Sequence, residues 1–301
     1  MRRVALILPE NAYAPEIYAL HNFLSKYYSE SIYSEIIKYS VFLQKQKSFD
    51  IVYRMMGFSP KILNPCLLPE IHDYASLSLG KYSCFKEFAK RKFQKKPIFR
   101  LFLNDYVRKR MSFNDNVPYS LRDMGVDGDF FNIFSLNLNK IYDFCYIGSI
   151  CDERNIDSIL DFFKDNKSFN IVLVGDNLLS NKEKYINEPN IIFTGRKDRS
   201  GVLDILSKSK VGINYTPNVY PFNFQTSTKV LEYIACGLDV LSNDGYWVES
   251  FQKKLNYNFL KVNDLYNNTL IFRNTLHISD KIPSWEKVYR DTKIAEFIIN
   301  Y

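Results

Sequence analysis

Hydrophobic residues recur along this chain in two rhythms. Short continuous apolar runs, each bounded by Gly, Pro, Asn or Asp, appear as VALILP (4–9), FDIVYRM (49–55) and PIFRLFLN (97–104) in the first half. The second half has them more regularly, as DFCYIGSI (143–150), NIVLVGDN (170–177), NIIFTGRK (190–197), VGINYTP (211–217) and LDVLSND (238–244). Runs of this kind read as strands buried on both faces. Between them the apolar spacing changes to that of a helix, over about 14–28, 153–165, 199–209, 226–236 and 246–254. A last helix is expected over 282–301, IPSWEKVYRDTKIAEFIINY, with Trp285 near its start. Strands alternating with helices predict an α/β protein with parallel sheets covered on both faces. The 301 residues have room for two such sheets. The segment GVDGDFFNIFSLNLNK (125–140) carries turn residues and no clear period, which places a hinge near Phe131–Lys140. The expected domains are therefore 1–135, 136–281, and a terminal helix 282–301 that returns to the first domain.

Composition narrows the function classes. The five cysteines (Cys66, Cys84, Cys145, Cys151, Cys236) are odd in number and form no C-x-x-C pair, which argues against a disulfide framework or a zinc site. Only His21, His72 and His277 could supplement them as metal ligands. The apolar run Val4–Leu8 is too short for a signal peptide and is interrupted by Pro9–Glu10. No run approaches the roughly 18–20 apolar residues of a spanning helix, so a cytoplasmic protein is expected. Forty basic residues against 33 acidic give a net charge of +7. Much of that excess lies in KYSCFKEFAKRKFQKKPIFRLFLNDYVRKR (81–110), a basic run interleaved with Phe and Tyr. It reads either as a solvated helix face or as a surface for anionic lipid headgroups or a lipid-linked diphosphate, peripheral on the inner face of the membrane. Nucleic acid is a weaker choice, because no helix-turn-helix, zinc finger or RNP-type motif accompanies the charge.

The most informative chemistry is in YPFNFQTSTKVLEYIACG (220–237). With Thr226 as N-cap, Val230, Leu231, Ile234, Ala235 and Leu238 fall on one helix face, and Lys229, Glu232, Tyr233 and Cys236 on the other. The unpaired N–H groups of the helix start, the hydroxyls of Thr226, Ser227 and Thr228, and the Lys229 ammonium suit a diphosphate. Glu232, one turn on, suits a ribose diol. The plain alternative is a surface i,i+3 ion pair between Lys229 and Glu232. The helix follows the strand VGINYTP, however, and open α/β sheets bind ligands at the carboxyl ends of their strands.

These residues give the chain a resemblance to a known family. YIGSICDERN, LVGDN, FTGRKDR and TSTKVLEYIACGLDVLS, together with IHDYASLSLGKYSCFKEFAKRKF and NVPYSLRDMGVD, make it similar to a GT-B glycosyltransferase. More narrowly, it looks like a bacterial group-1/group-4-like enzyme of surface polysaccharide (O-antigen or capsule) synthesis. The resemblance spans nearly the whole chain, and its specific portion is K-x-x-E-Y-x-A-C-G. It implies two Rossmann-like domains facing a central cleft. The first would bind the acceptor and the second a nucleoside diphosphate sugar, UDP-linked by default. By that resemblance Lys229 contacts the diphosphate and Glu232 the ribose. Gly148 and Ser149 form a close-approach turn at the phosphates with Arg154 beyond it, and Gly195 and Arg196 lie beside the base. Gly148 and Gly195 also read as ordinary tight strand-to-helix turns. The chain departs from the E-x(7)-E pattern of retaining members: Phe224 stands eight residues before Glu232. That leaves Asn223, Gln225 or backbone N–H groups for the donor sugar.

For an inverting transfer, the resemblance to xanthan-type glucuronosyltransferases points to Asp73 as general base, with His72 as the alternative or as a donor contact. A bland role for the pair, capping a helix or satisfying a loop, stays open. No D-x-D motif falls at a strand end. Asp127–Asp129 reads as turn chemistry, and no metal or other cofactor is expected. Hexosyl transfer to a hydroxyl of a lipid-linked or oligosaccharide acceptor is the activity implied. Two competitors are a sugar-nucleotide epimerase and a non-catalytic sugar or nucleotide-binding protein. The absence of G-x-G-x-x-G after VALILP and DFCYIGSI argues against the epimerase, and against a dehydrogenase of the same architecture.

Overall fold

Apolar runs and helical periods resolve into a regular succession of elements in the computed structural model, which describes residues 1–9, 14–57, 59–78, 80–133, 139–267 and 276–301. The first half contains β1 (Arg2–Leu8), α1 (Pro15–Tyr27), β2 (Ile32–Lys38), α2 (Tyr39–Lys45), β3 (Ile51–Met55), β4 (Glu70–Tyr74), α3 (Ser83–Phe93), β5 (Phe99–Phe102), α4 (Asp105–Met111) and β6 (Tyr119–Leu121). The second half continues with α5 (Gly128–Asn132), β7 (Tyr142–Ile147), β8 (Ile150–Cys151), α6 (Asp157–Asp165), β9 (Ile171–Val174), β10 (Asn177–Leu178), β11 (Ile191–Phe193) and α7 (Arg199–Ser207). It closes with β12 (Ser209–Asn214), α8 (Thr228–Ala235), β13 (Asp239–Ser242), α9 (Tyr246–Leu255), β14 (Leu260–Lys261), α10 (Val262–Tyr266), α11 (Trp285–Thr292) and α12 (Ile294–Asn300). Two units partition the chain, Met1–Gly125 with Pro283–Tyr301, and Val126–Ile282.

The first unit is built on a parallel sheet in the order β2-β1-β3-β4-β5-β6. Val4 and Leu6 of β1 pack against Ile17, Leu20, Phe23 and Leu24 of α1, and the same core takes Trp285, Tyr289, Ile294 and Ile298 from the end of the chain. The expected single terminal helix is two: Lys293, at φ +55°, separates α11 from α12. Strand β4, EIHDY, has no apolar pattern, yet all five residues are buried. Its polar side chains are tolerated there because each finds a partner in the interior.

In the second unit the parallel sheet runs β11-β9-β7-β12-β13-β14. Counted within the unit, and leaving aside the small β8–β10 ribbon, this is the doubly-wound order 3-2-1-4-5-6. Its direction reverses between β7 and β12, and a ligand crevice is expected at the carboxyl ends there. Helix α8 is fixed across that point by Tyr233. The Tyr233 hydroxyl accepts from the Ile147 N–H at 3.0 Å and donates to the Ile213 carbonyl at 3.3 Å. Its ring lies on Gly212, where any Cβ would come within 2.2 Å of it. Tyr233 and Cys236 are buried although they fall on the face opposite the apolar one; α8 is covered on more sides than its spacing alone suggests.

Helix α5 belongs to the second unit, ahead of the boundary expected at 135. Its Asp127 and Asp129 receive Arg199 at 2.9 and 3.0 Å, so the DGD sequence is an arginine clamp as well as a helix start. Within the expected hinge, 134–138 lie outside the described residues.

Candidate nucleotide site

Gly148, Gly175 and Gly195 follow β7, β9 and β11, so the carboxyl edge of the second sheet is lined with glycine. The ladder continues past the strands: the Gly148 N–H donates to the Val174 carbonyl at 2.9 Å, and the Gly175 N–H to that of Gly195 at 3.1 Å. Gly148 and Gly175 have φ of +127° and +149°, which L side chains rarely adopt. A Cβ on Gly175 would fall 2.0 Å from the Gly148 carbonyl oxygen. The tight turn and the close approach are thus the same feature.

Lys229 crosses the switch point to meet this turn. Its Nζ is 3.6 Å from where a Gly148 Cβ would be and 3.9 Å from the centre of the Tyr146 ring. Tyr146 is held by its own hydroxyl, which donates to the Ser149 carbonyl at 3.0 Å. Ser149 is exposed at the same turn. The Arg154 guanidinium stands 4.8 Å from the Phe222 ring centre. Among the described residues neither Lys229 nor Arg154 has a carboxylate within ion-pair distance, and the Lys229–Glu232 surface pair is not formed. Burial first, and then the Arg154 charge, bring the Lys229 ammonium down to about 7. A strained cation beside a second one is what an incoming dianion relieves.

The helix start faces the same way. The N-cap is Ser227, one residue later than expected, and its side chain makes no capping hydrogen bond. The Ser227 hydroxyl instead donates to Asn214 Oδ1 at 2.8 Å, and Asn214 Nδ2 donates to the Ser242 hydroxyl at 2.9 Å. That chain ties α8 to the ends of β12 and β13, and it draws the Ser227 hydroxyl away from the N–H groups of the first turn. Thr226 and Thr228 flank them, partly exposed.

Glu232 lies one turn further along, partly exposed, and its carboxylate has no hydrogen bond or ion pair among the described residues. Burial, and then the negative charge of Asp127, push its carboxyl up to about 7, while Lys229 and Arg199 pull the other way. The clamp of Arg199 on Asp127 and Asp129 was not visible in sequence, because the partners are 70 or more positions apart. Tyr146 was equally hidden, reading only as a buried strand residue.

The remaining expected residues lie around this centre. Gly195 and Arg196 are at the end of β11, two strands or about 10 Å to one side, with Arg196 paired to Asp176 at 2.8 Å. Asn223 and Gln225 are on the turn leading into α8. The Asn223 amide donates to Asn218 Oδ1 at 3.2 Å, and its own Oδ1 is buried without a partner. Phe224 packs on Tyr246 at 4.8 Å, an apolar contact in place of a carboxylate.

The base role expected of Asp73 finds no support in this geometry. Asp73 is inaccessible to solvent, paired to the equally buried Arg122 at 2.8 Å, and accepts from the Tyr53 hydroxyl. His72 is buried against Glu70 at 3.0 Å, and desolvation lowers its pKa despite that carboxylate. Glu70 also receives Arg54 and Lys95, at 3.3 and 3.2 Å, and its carboxyl is lowered to about 2 against the cost of its own burial, through His72 and Arg54. Both side chains are thus turned to partners inside the first unit, Asp73 to Arg122 and Tyr53, His72 to Glu70. Among the described residues no three His, Cys, Asp or Glu side chains cluster as metal ligands.

The chain matches no protein-family model and no curated protein. Its fold, in contrast, is shared over the full length with solved structures. Anabaena HepE, solved with UDP and glucose, aligns with a TM-score of 0.67 at 10% identity and covers 100% of both chains. Sucrose-phosphate synthase of Thermosynechococcus elongatus aligns with a TM-score of 0.65 at 11% identity, over 99% of this chain and 98% of that one. The UDP-GlcNAc 2-epimerase of Methanocaldococcus jannaschii aligns with a TM-score of 0.57 at 9% identity, over 98% and 99%. The fold is GT-B, and at such identities the likeness reaches no further than the fold.

Proposed function

We propose that the chain is a glycosyltransferase. It moves a hexosyl unit from a nucleoside diphosphate sugar, UDP-linked by default, to a hydroxyl of a lipid-linked or oligosaccharide acceptor in bacterial surface polysaccharide synthesis. One observation carries this reading: Lys229 is held against the Gly148 turn without a counter-ion among the described residues, with Glu232 one helical turn beyond, at the switch point of the second sheet. UDP or UDP-glucose accompanies HepE and UDP an alpha-glucosyltransferase of similar structure, which supports the choice of donor.

In this mechanism the departing nucleoside diphosphate gains negative charge as the bond to the anomeric carbon breaks. Lys229, Arg154 and the first-turn N–H groups of α8 stabilise it. Glu232 accepts from the ribose diol, and Gly195 and Arg196 flank the base. The Asn223–Gln225 turn faces the sugar. The charge is met by side chains and a helix end, so we assign no metal. Incubation with a panel of sugar nucleotides, without acceptor, tests the reading: slow release of a nucleoside diphosphate in excess EDTA is expected. A protein that binds the nucleotide and never releases product is a binding protein instead.

The epimerase among the structures of the same fold favours one second reading, inversion at C2 of a UDP-sugar. Incubation in deuterated water distinguishes it, since a C2 proton lifted and returned brings deuterium into the recovered sugar nucleotide, whereas transfer does not.

A further inference from the structure

The basic run of the first unit acquires a second component in three dimensions. Pro60 pairs with Gln94 in an isolated antiparallel bridge, the Gln94 amide donates to the Gly57 carbonyl at 2.7 Å, and Lys95 donates to the carbonyls of Cys66 and Leu68 at 2.9 and 2.7 Å. These bonds fasten the β3–β4 connection to the carboxyl end of α3. Both segments present large apolar side chains to solvent: Ile62 is 91% exposed, Leu67 86% and Leu63 76% on the connection, and Phe85 69% and Tyr82 67% at α3. Apart from the terminal Met1, these are the five most exposed large apolar residues among those described.

The exposed charge carried by residues 57–100 has one sign. Lys61, Lys81, Lys86, Lys92 and Lys96 are all exposed. The three acids between 57 and 100, Glu70, Asp73 and Glu87, are all buried. Two basic residues that the sequence alone assigns to this surface do not belong to it. Lys90 is buried, and Lys95 is spent on Glu70 and the backbone bonds just described.

We infer that α3 and the β3–β4 connection form a single docking face for an anionic lipid bilayer, with Ile62, Leu63 and Leu67 entering the interface and the lysines meeting the headgroups. Apolar residues on two segments that carry exposed lysines and no exposed acid of their own suit a negatively charged interfacial layer, where both kinds of contact are satisfied at once. No described helix is long and apolar enough to cross a membrane, so this face would act by peripheral attachment. The inference deepens the proposed lipid-linked acceptor but rests on separate residues, and a Lys229→Ala protein that has lost UDP binding should still attach.

Cosedimentation of the full chain with vesicles tests it, comparing phosphatidylcholine alone with phosphatidylcholine containing about 30% phosphatidylglycerol. Binding is expected only with the anionic lipid and should weaken as salt rises. Replacing Lys61, Lys92 and Lys96 by Gln should reduce it by about fivefold per lysine. Changing Ile62, Leu63 and Leu67 together to Ser should abolish the fraction that survives high salt. Unaltered circular dichroism keeps both variants interpretable, as every changed side chain is exposed. Absence of binding to the anionic vesicles, or undiminished binding by the Ser variant, would overturn the bilayer as occupant. So would a preference for an acidic protein or nucleic acid over the vesicles.

Discussion

Burial brings Lys229 and Glu232 into the same range from opposite sides, and this gives the site a pH signature. A bound diphosphate restores the Lys229 ammonium, so that contribution is complete below about 7 and is lost as pH rises through 7 toward the bound value. A ribose diol donating to Glu232 favours the carboxylate, so its contribution is complete above about 7 and is lost as pH falls. Affinity for UDP-glucose, whose phosphates do not titrate near neutrality, should peak near pH 7. The acid limb should vanish in Glu232→Gln; a flat profile for the wild type would show that neither group meets the ligand. Asp73 predicts a different outcome. Asp73→Asn leaves buried Arg122 only the more distant Glu16 carboxylate at 3.8 Å and should cost about 3–5 kcal/mol in denaturant unfolding, the usual range for a broken buried pair. Near-wild-type stability with transfer slowed at least about 100-fold would return Asp73 to the role of base.

Among elements, α8 carries the site, and its position depends on a single small residue of β12. Gly212→Ala should drive a methyl into the Tyr233 ring and cost about 1–3 kcal/mol, with UDP binding weakened because Lys229 moves with the helix. Wild-type stability and affinity would show that Tyr233 is not what seats α8. Much of this was legible beforehand. The continuous apolar runs located β1, β3, β5, β7, β9, β11, β12 and β13, because strands buried on both faces need no alternation. β2 and β4 were missed for physical reasons: β2 mixes Ser34 and Glu35 into its run, and β4 buries Glu70, His72 and Asp73 by pairing them with residues elsewhere. Lys229 and Glu232 were legible because helical spacing is local. Tyr146, Arg199 and the inward turn of Tyr233 were not, since each depends on a neighbour from another strand or helix.

At the scale of the whole molecule, each unit has its own sheet and core, and the chain returns to the first through α11 and α12. Ile298→Ala should therefore cost about 2–5 kcal/mol of stability through the first unit's core while leaving UDP affinity unchanged. An equal loss of affinity in the folded variant would contradict a donor site built from the second unit alone. The proposed function itself rests on the K-x-x-E stripe holding a nucleoside diphosphate. Calorimetric titration of UDP and GDP into the wild type and Lys229→Ala, with inorganic pyrophosphate beside them for Glu232→Gln, tests that most directly. Lys229→Ala should lose about 10- to 150-fold for whichever nucleotide binds, as expected for a hydrogen bond to a charged group. Glu232→Gln should lose the nucleotide and keep the pyrophosphate. Unchanged nucleotide affinity in Lys229→Ala would contradict the account.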